Sequence, residues 1–149
     1  MAQRIVSLLP AATEIVSALG AKDMLVGRSH ECDWPPNVSS LPILTTPKID
    51  STASSVEIDQ AIKNSDSGPL FSLDESLLRE LGPDLIITQS ACSICAVDVE
   101  AVAGIAASLA LPNGGHPDVL ALAPQSLSEL IDDIALVGEK IGKQAETAK

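Results

Sequence analysis

Short apolar runs alternate with longer amphipathic stretches along this chain, and this alternation constrains its fold more than any other feature. The runs at residues 5–9, 25–27 and 84–88 have the length and aliphatic content of buried strands. The stretches between them space their apolar residues as helices do. Strands that alternate with helices usually form a parallel sheet that helices cover on both faces. The sequence therefore predicts a three-layer α/β fold with a mainly parallel sheet.

Turn and capping residues set the expected helix boundaries. Pro10 suits a first helical turn, where its missing N–H is no loss, and Gly20 supplies a left-handed stop to the same helix. A serine followed three residues later by a glutamate predicts a capping box at a helix start. This spacing occurs at Ser54 with Glu57, at Ser72 with Glu75 and at Ser126 with Glu129. Residues 33–40 are expected to be a loop, and residues 43–44 a short third strand.

The last predicted helix carries one long apolar stripe. No stop is recognised between its start at Ser126 and Lys149. It is expected either to dock on its own domain or to lead into a second one. The stripe consists of Leu127, Leu130, Ile131, Ile134, Val137 and Ile141.

Composition excludes several classes of protein. A chain of 149 residues, 46% hydrophobic, suits one packed domain, and a net charge of −11 argues against nucleic-acid binding. No apolar run reaches the roughly 18 residues of a membrane span, and no secretory signal is visible. Three cysteines, an odd number, suit a reducing compartment better than a disulfide framework. We expect a cytoplasmic protein, or a periplasmic one if the N-terminus is truncated.

All three cysteines and one of the two histidines lie in two short segments, each after a predicted strand. His30 and Cys32 follow the second strand, and Cys92 and Cys95 follow the strand at 84–88. The carboxyl ends of parallel strands meet at one edge of a sheet, where ligands bind. On an extended segment His30 and Cys32 would share a face, and the four side chains could hold zinc. Buried cysteines with a turn-capping His30, and a redox dithiol, are the alternative interpretations.

Trp34 is the only indole, and it precedes two prolines. It is expected outside the deep core, either stacked on a ring-shaped ligand or packed beneath its own loop. His116 is expected in a solvated loop. The chain has no phosphate-binding loop, no dinucleotide fingerprint and no nucleophile elbow. Nothing in the sequence argues for an enzyme.

Longer motifs resemble a known family. The stretch RIVSLLPAATEIVSALG at 4–20 and LGPDLIIT at 81–88 resemble motifs of the ABC-transporter substrate-binding proteins for cobalamin and iron-siderophores. SHECDWPP at 29–36 and TQSACSICA at 88–96 resemble the cobalamin-binding branch. Family members have two Rossmann-like lobes joined by a long helix, with the ligand between them. The resemblance implies an N-terminal lobe at 1–125 and the start of the connecting helix at 126–149.

The resemblance also implies ligand binding without catalysis. The expected ligand is cobalamin or another corrinoid, or else a metal chelate such as a siderophore. The expected partner is an ABC permease, with Glu57 as a docking candidate. A zinc protein that uses the histidine and the cysteines, or an interaction module, is the alternative. The implied binding residues are Pro10, His30, Cys32, Trp34, Cys92 and Cys95, of which His30 and the three cysteines would lie near a metal.

Overall fold

Six strands and five α-helices make up the part of the chain that the computed structural model describes, residues 3–50, 52–64, 70–90, 99–112 and 114–143. The strands are β1 (Ile5–Ser7), β2 (Leu25–Arg28), β3 (Thr45–Pro47), β4 (Phe71–Leu73), β5 (Leu85–Gln89) and β6 (Asp118–Leu122). The helices are α1 (Pro10–Ala18), α2 (Ser55–Asn64), α3 (Glu75–Leu81), α4 (Val99–Ser108) and α5 (Leu127–Lys140). Short 3₁₀ helices span Lys22–Met24 and Pro36–Ser40.

The main sheet is parallel throughout and has the strand order β2-β1-β5-β6. Successive residues of its strands point to opposite faces, so Ile5 and Ile87 pack with α1 and α5. Val6 and Ile86 pack on the other face with α3 and α4. Two apolar clusters therefore cover the sheet on both sides, and the predicted three-layer α/β architecture is confirmed.

The segment after β2 departs from the prediction. Ile43 makes only one parallel bridge, to Arg28, and the next strand begins at Thr45. That strand, β3, pairs antiparallel with β4 in a separate two-stranded sheet. The expected strand at 43–44 is therefore reduced to one bridge, and the strand itself begins one residue later, at Thr45. Part of the expected loop at 33–40 is the 3₁₀ helix Pro36–Ser40.

Two of the three predicted capping boxes mark real helix starts. The Ser54 N–H donates to Glu57 at 2.9 Å, as a capping box requires. Ser126 accepts from the Glu129 N–H at 3.2 Å, while the Glu129 carboxylate accepts from Gln125 instead of Ser126.

The box predicted at Ser72 was wrong. Ser72 lies inside β4, and Asp74 caps α3 by accepting from the Leu77 N–H at 2.9 Å. The strand extends far enough to take up Ser72, so the next side chain with a free oxygen becomes the cap.

The C-terminal helix α5 is present along its apolar stripe but ends earlier than expected. It ends at Lys140, and Gly142 follows with φ of 71°, a left-handed conformation that terminates helices. Gly142 is the stop that the sequence analysis overlooked. Val137 is buried, whereas Leu127 and Ile131 are exposed. No helix among the described residues has the length and apolar content needed to cross a membrane.

Candidate ligand-binding edge

Buried polar side chains gather where β1 and β2 end. They tie these strands to α1, to β3 and to the loop after β2. We call this group the edge network, and it consists of Ser7, Thr13, Arg28, Ser29, Cys32 and Thr45, each at most 7% exposed.

Hydrogen bonds connect the edge network across four elements. The Thr13 hydroxyl lies 2.8 Å from that of Ser7 and 3.1 Å from the Cys32 sulfur. The Ser29 N–H donates to the Ser7 carbonyl at 2.9 Å, and the Ser29 hydroxyl lies 3.1 Å from that of Thr45. Bonded polar groups of this kind are tolerated in a core because each has a partner. The carboxyl edge is therefore held by directional contacts rather than by apolar packing.

Arg28 is the charged member of the edge network, and its side chain is buried. Its Nη1 donates to the carbonyls of Ser29 at 3.1 Å and Cys32 at 2.8 Å, and its Nη2 donates to that of Ser39 at 3.2 Å. The sequence analysis overlooked Arg28. A cation at the very end of an apolar strand, in a chain of net charge −11, was the available indication.

His30 lies on the outer side of the edge network, with a side chain 18% exposed. Its backbone N–H donates to the Thr45 hydroxyl at 3.0 Å, and its Nδ1 lies 2.6 Å from the same oxygen. The imidazole and Phe71 rings have centroids 4.9 Å apart. Nε2 lies 3.0 Å from a Glu31 oxygen, but without hydrogen-bond geometry to any described residue. If Nδ1 donates to Thr45, the Nε2 lone pair faces the Glu31 carboxylate, which would have to move aside for a metal to bind this nitrogen.

A small apolar pocket adjoins the His30 ring. It has a volume of about 190 Å³. Its wall includes Phe71, whose ring contacts the imidazole, and Glu31, whose carboxylate lies near Nε2. The sequence analysis identified neither Phe71 nor this pocket, because β4 comes from a distant part of the chain. The lining residues are Glu31, Pro47, Ile49, Ile58, Leu70 and Phe71.

Cys32 does not lie beside His30. Residues 30 and 31 form a turn, closed by the Cys32 N–H on the Ser29 carbonyl, so the geometry of an extended segment does not apply. The Cys32 side chain is fully buried, and its sulfur contacts Thr13. Burial raises the pKa of the Cys32 thiol, although the Thr13 hydrogen bond partly opposes this shift. Cys32 is therefore a protonated thiol inside the core at neutral pH.

The other predicted cysteine ligands, Cys92 and Cys95, fall outside the described residues. Within the described ranges, no three His, Cys, Asp or Glu side chains come together in a way that could hold a metal ion. Of the two expected metal ligands that the structure describes, Cys32 is fully buried and His30 is partly exposed, with its Nε2 atom itself buried.

Trp34 is 59% exposed, as expected for an indole outside the core. With Pro35 it borders a groove of about 530 Å³ against α1 and α5. None of the residues that line this groove lines the pocket beside His30. Pro10, half-buried, begins α1 at the end of β1. The groove is lined by Glu14, Ile15, Ser17, Ala18, Leu19, Trp34, Pro35 and Ile134.

The remaining predicted residues lie on the surface. His116 is exposed, as expected, and its Nδ1 donates to the Leu109 carbonyl at 2.7 Å. Glu57, the docking candidate, is also exposed. Hydrogen bonds from the Ser54 hydroxyl and N–H hold the pKa of the Glu57 carboxyl below its usual value. Its carboxylate therefore serves as the reciprocal arm of the α2 cap.

No family model and no curated protein sequence matches the chain. Solved structures do match it. The periplasmic heme-binding protein RhuT from Roseiflexus sp. RS-1 is 23% identical over 99% of this chain and 44% of its own, with a TM-score of 0.66. The periplasmic vitamin B12 binding protein BtuF of Vibrio cholerae is 22% identical, with the same coverages and a TM-score of 0.65. A possible iron-binding periplasmic solute-binding protein from Staphylococcus epidermidis is 22% identical over 98% of this chain and 45% of its own, with a TM-score of 0.66.

These likenesses are likenesses of fold. The chain shares its fold with these periplasmic binding proteins and spans less than half the length of each of these structures.

Proposed function

We propose that this chain is the N-terminal lobe of an ABC-transporter substrate-binding protein for a metal-containing tetrapyrrole, with a corrinoid as the first choice. The observation that carries the proposal is a buried imidazole nitrogen of His30 without a hydrogen bond, in a ring that contacts Phe71 in the wall of an apolar pocket at the carboxyl edge of the sheet. The fold supports it, since proteins named for binding heme, vitamin B12 or iron share it over nearly the whole of this chain.

His30 would contact the metal of the ligand. Thr45 orients its ring from one side and Phe71 from another, and Nε2 is the nitrogen left without a hydrogen bond. A hydrogen-bond partner that fixes the orientation of the ring in this way is typical of histidines that ligate metals. The adjoining pocket would accept an apolar edge of the macrocycle. We also propose that the ligand, between the two lobes, contacts four further residues, Pro10, Trp34, Cys92 and Cys95.

The charge of the edge favours a corrinoid over heme. Glu31 stands beside the pocket, and none of the described residues that line the pocket is cationic. The Arg28 guanidinium is buried and bound to carbonyls, so it is not available to a ligand. Heme carries two anionic propionates, which this carboxylate would repel, whereas the periphery of a corrinoid consists largely of neutral amides.

The zinc alternative has weaker support. Metal-bound cysteine is a thiolate, and burial raises the pKa of the Cys32 thiol and so opposes that form. The interaction-module alternative has in its favour only the exposed Leu127 and Ile131 on the apolar stripe of α5.

We further propose that the protein acts in the periplasm, as the names of RhuT and BtuF state for those proteins. Glu57 is the proposed contact with the permease. It would have to share its carboxylate with the α2 cap, because both Ser54 donors already bind it.

Titration with aquocobalamin, followed by visible absorbance, tests the ligand and the role of His30 together. Replacement of cobalt-bound water by an imidazole shifts the visible bands. We expect a dissociation constant of about 10–100 µM, because a single lobe covers only one face of the ligand. His30→Ala should remove the shift. His116→Ala, which changes the only other histidine, should keep it.

Hemin is titrated in parallel to test the choice between ligands. Tighter binding of hemin than of aquocobalamin would overturn the corrinoid assignment. The absence of a spectral change with either compound at about 1 mM, or an equal change in His30→Ala, would overturn the proposed function.

A further inference from the structure

We propose that Arg28 is the positioning residue of the binding edge, and that its buried guanidinium fixes the loop that carries His30 and Trp34. The ligand-binding part of this inference rests on the proposed function. The part that concerns the loop stands on the contacts alone.

The guanidinium holds the loop at three points. It donates to the carbonyls of Ser29, Cys32 and Ser39, which span eleven positions of the chain. His30 lies between the first and second of these points, and Trp34 lies between the second and third. The side chains proposed to meet the ligand are thus each enclosed by two anchored carbonyls.

The backbone of Arg28 anchors the far end of the same segment. Its N–H donates to the Pro42 carbonyl at 3.0 Å, and its carbonyl accepts from the Leu44 N–H at 2.9 Å. One residue therefore binds the loop at its start, its middle and its end. The loop closes around the guanidinium, which explains how a segment with only a 3₁₀ helix for regular structure keeps a defined course.

The chemistry of this contact requires arginine. A buried cation is costly unless its donors are bonded, and only a guanidinium presents several N–H donors in a fixed plane. Among the described residues it forms no ion pair, so the carbonyls that accept from Nη1 and Nη2 compensate its charge, while the buried Nε has no hydrogen-bond partner there. A lysine in its place keeps the charge but cannot reach three carbonyls that lie in different directions.

The single tryptophan makes this inference testable without a ligand. The chain has one Trp and no Tyr, so emission excited at 295 nm comes from Trp34, inside the anchored loop. The test compares Arg28→Lys with Arg79→Lys, a change at an exposed arginine of α3 that bonds Ser108. Circular dichroism on heating shows whether each variant is folded.

We expect Arg28→Lys to unfold cooperatively, with lower Trp34 anisotropy and an acrylamide quenching constant about twofold higher than in the wild type. Its affinity for aquocobalamin should fall about tenfold, since the charge-assisted bonds that orient His30 are lost. Arg79→Lys should match the wild type in all three measurements. A folded Arg28→Lys protein with wild-type anisotropy and quenching would overturn the inference.

A measurement on the wild type covers the case in which Arg28→Lys does not fold. In ¹⁵N NMR spectra, the Arg28 guanidinium should show slow rotation and separate Nη signals, unlike Arg79. Free rotation of the Arg28 guanidinium would contradict the inference. If aquocobalamin fails to bind the wild type, the proposed function fails, while anisotropy and guanidinium rotation still decide the positioning role.

Discussion

The bodies of the central strands and their carboxyl ends are buried alike but are built from opposite chemistry. In the strand bodies, Ile5, Val6, Ile86 and Ile87 are all fully buried aliphatic residues. At the carboxyl ends of β1 and β2, and on the residues of α1, β3 and the loop that pack there, burial falls instead on hydroxyls, a thiol and a guanidinium of the edge network. The same sheet thus passes from non-directional packing to a set of directional bonds.

This difference separates what sets the fold from what sets the site. Aliphatic packing stabilises a sheet in proportion to the area it buries, and it tolerates exchange among residues of similar size. Buried polar bonds contribute less net free energy, but they fix the direction of each group that takes part. Stability alone therefore does not account for the edge network. It does explain how His30 and the loop around it acquire a defined orientation.

The largest expected effect comes from the strand bodies. Ile86→Ala should lower the free energy of unfolding by about 2–5 kcal/mol, since it leaves a cavity in a fully buried layer. Urea denaturation followed by circular dichroism measures this change. The folded fraction should still give the wild-type spectral response to aquocobalamin. A loss below about 1 kcal/mol, or a lost response in folded protein, would contradict the division between fold and site.

At the edge we expect a smaller loss of stability and a larger loss of binding. Thr45→Val keeps the shape of the side chain but removes the oxygen that contacts His30 and Ser29, at a cost of about 1–3 kcal/mol. The matched control is Thr46→Val, one residue along and exposed, which should stay within about 0.5 kcal/mol. Aquocobalamin titration of both variants measures the expected loss of binding. Equal binding by both would show that Thr45 does not orient His30.

The strand bodies could be predicted from the sequence, whereas most of the edge could not. Aliphatic runs such as 84–88 identify buried strands because burial depends on composition over a short window. His30 was found because it directly follows a strand. Phe71 was missed because it reaches His30 only through the pairing of β3 with β4, which joins distant parts of the chain. Such contacts leave no local pattern.

Cys32 and Arg28 show a second limit of the sequence. A cysteine two residues after a histidine suggests a ligand pair, but a turn at 30–31 directs the two side chains to different neighbours. The role of Arg28 depends on a loop that folds back over it, and the spacing of residues cannot show this. An arginine is usually exposed, but Arg28 is buried because the carbonyls of its own loop accept its N–H groups.

The exposed hydrogen bond that caps α3 gives a stability cost with which those of the buried hydrogen bonds can be compared. Asp74→Ala should cost about 1 kcal/mol, because it removes the oxygen that caps α3. Ser72→Ala is the control, since the sequence pattern assigned the cap to Ser72 but the residue lies in β4. Urea denaturation of both variants decides between the two caps. A larger loss for Ser72→Ala would restore the cap that the sequence predicted.

Asp133 differs from the hydrogen-bonded groups of the edge network, because it is a partly buried carboxyl whose Oδ2 has no hydrogen-bond partner among the described residues. Burial, together with the nearby charges of Glu129 and Asp132, raises its pKa above the usual value. The folded protein therefore binds this proton more tightly than the unfolded chain does. It follows that ionised Asp133 opposes folding at neutral pH, and that this penalty disappears below the pKa of an unfolded aspartate, about 3.9.

Asp133→Asn should therefore stabilise the protein at pH 7, by less than about 1 kcal/mol because the carboxyl lies near the surface, and should have no such effect at pH 3. Thermal unfolding at both pH values measures the difference. An equal gain at both pH values would assign the effect to packing rather than to ionisation. The two kinds of substitution should change the free energy of unfolding in opposite directions. Removing a polar group from the edge network should destabilise the fold, because each one leaves partners behind. Removing the carboxylate of Asp133 should do the opposite, because no described donor bonds its Oδ2.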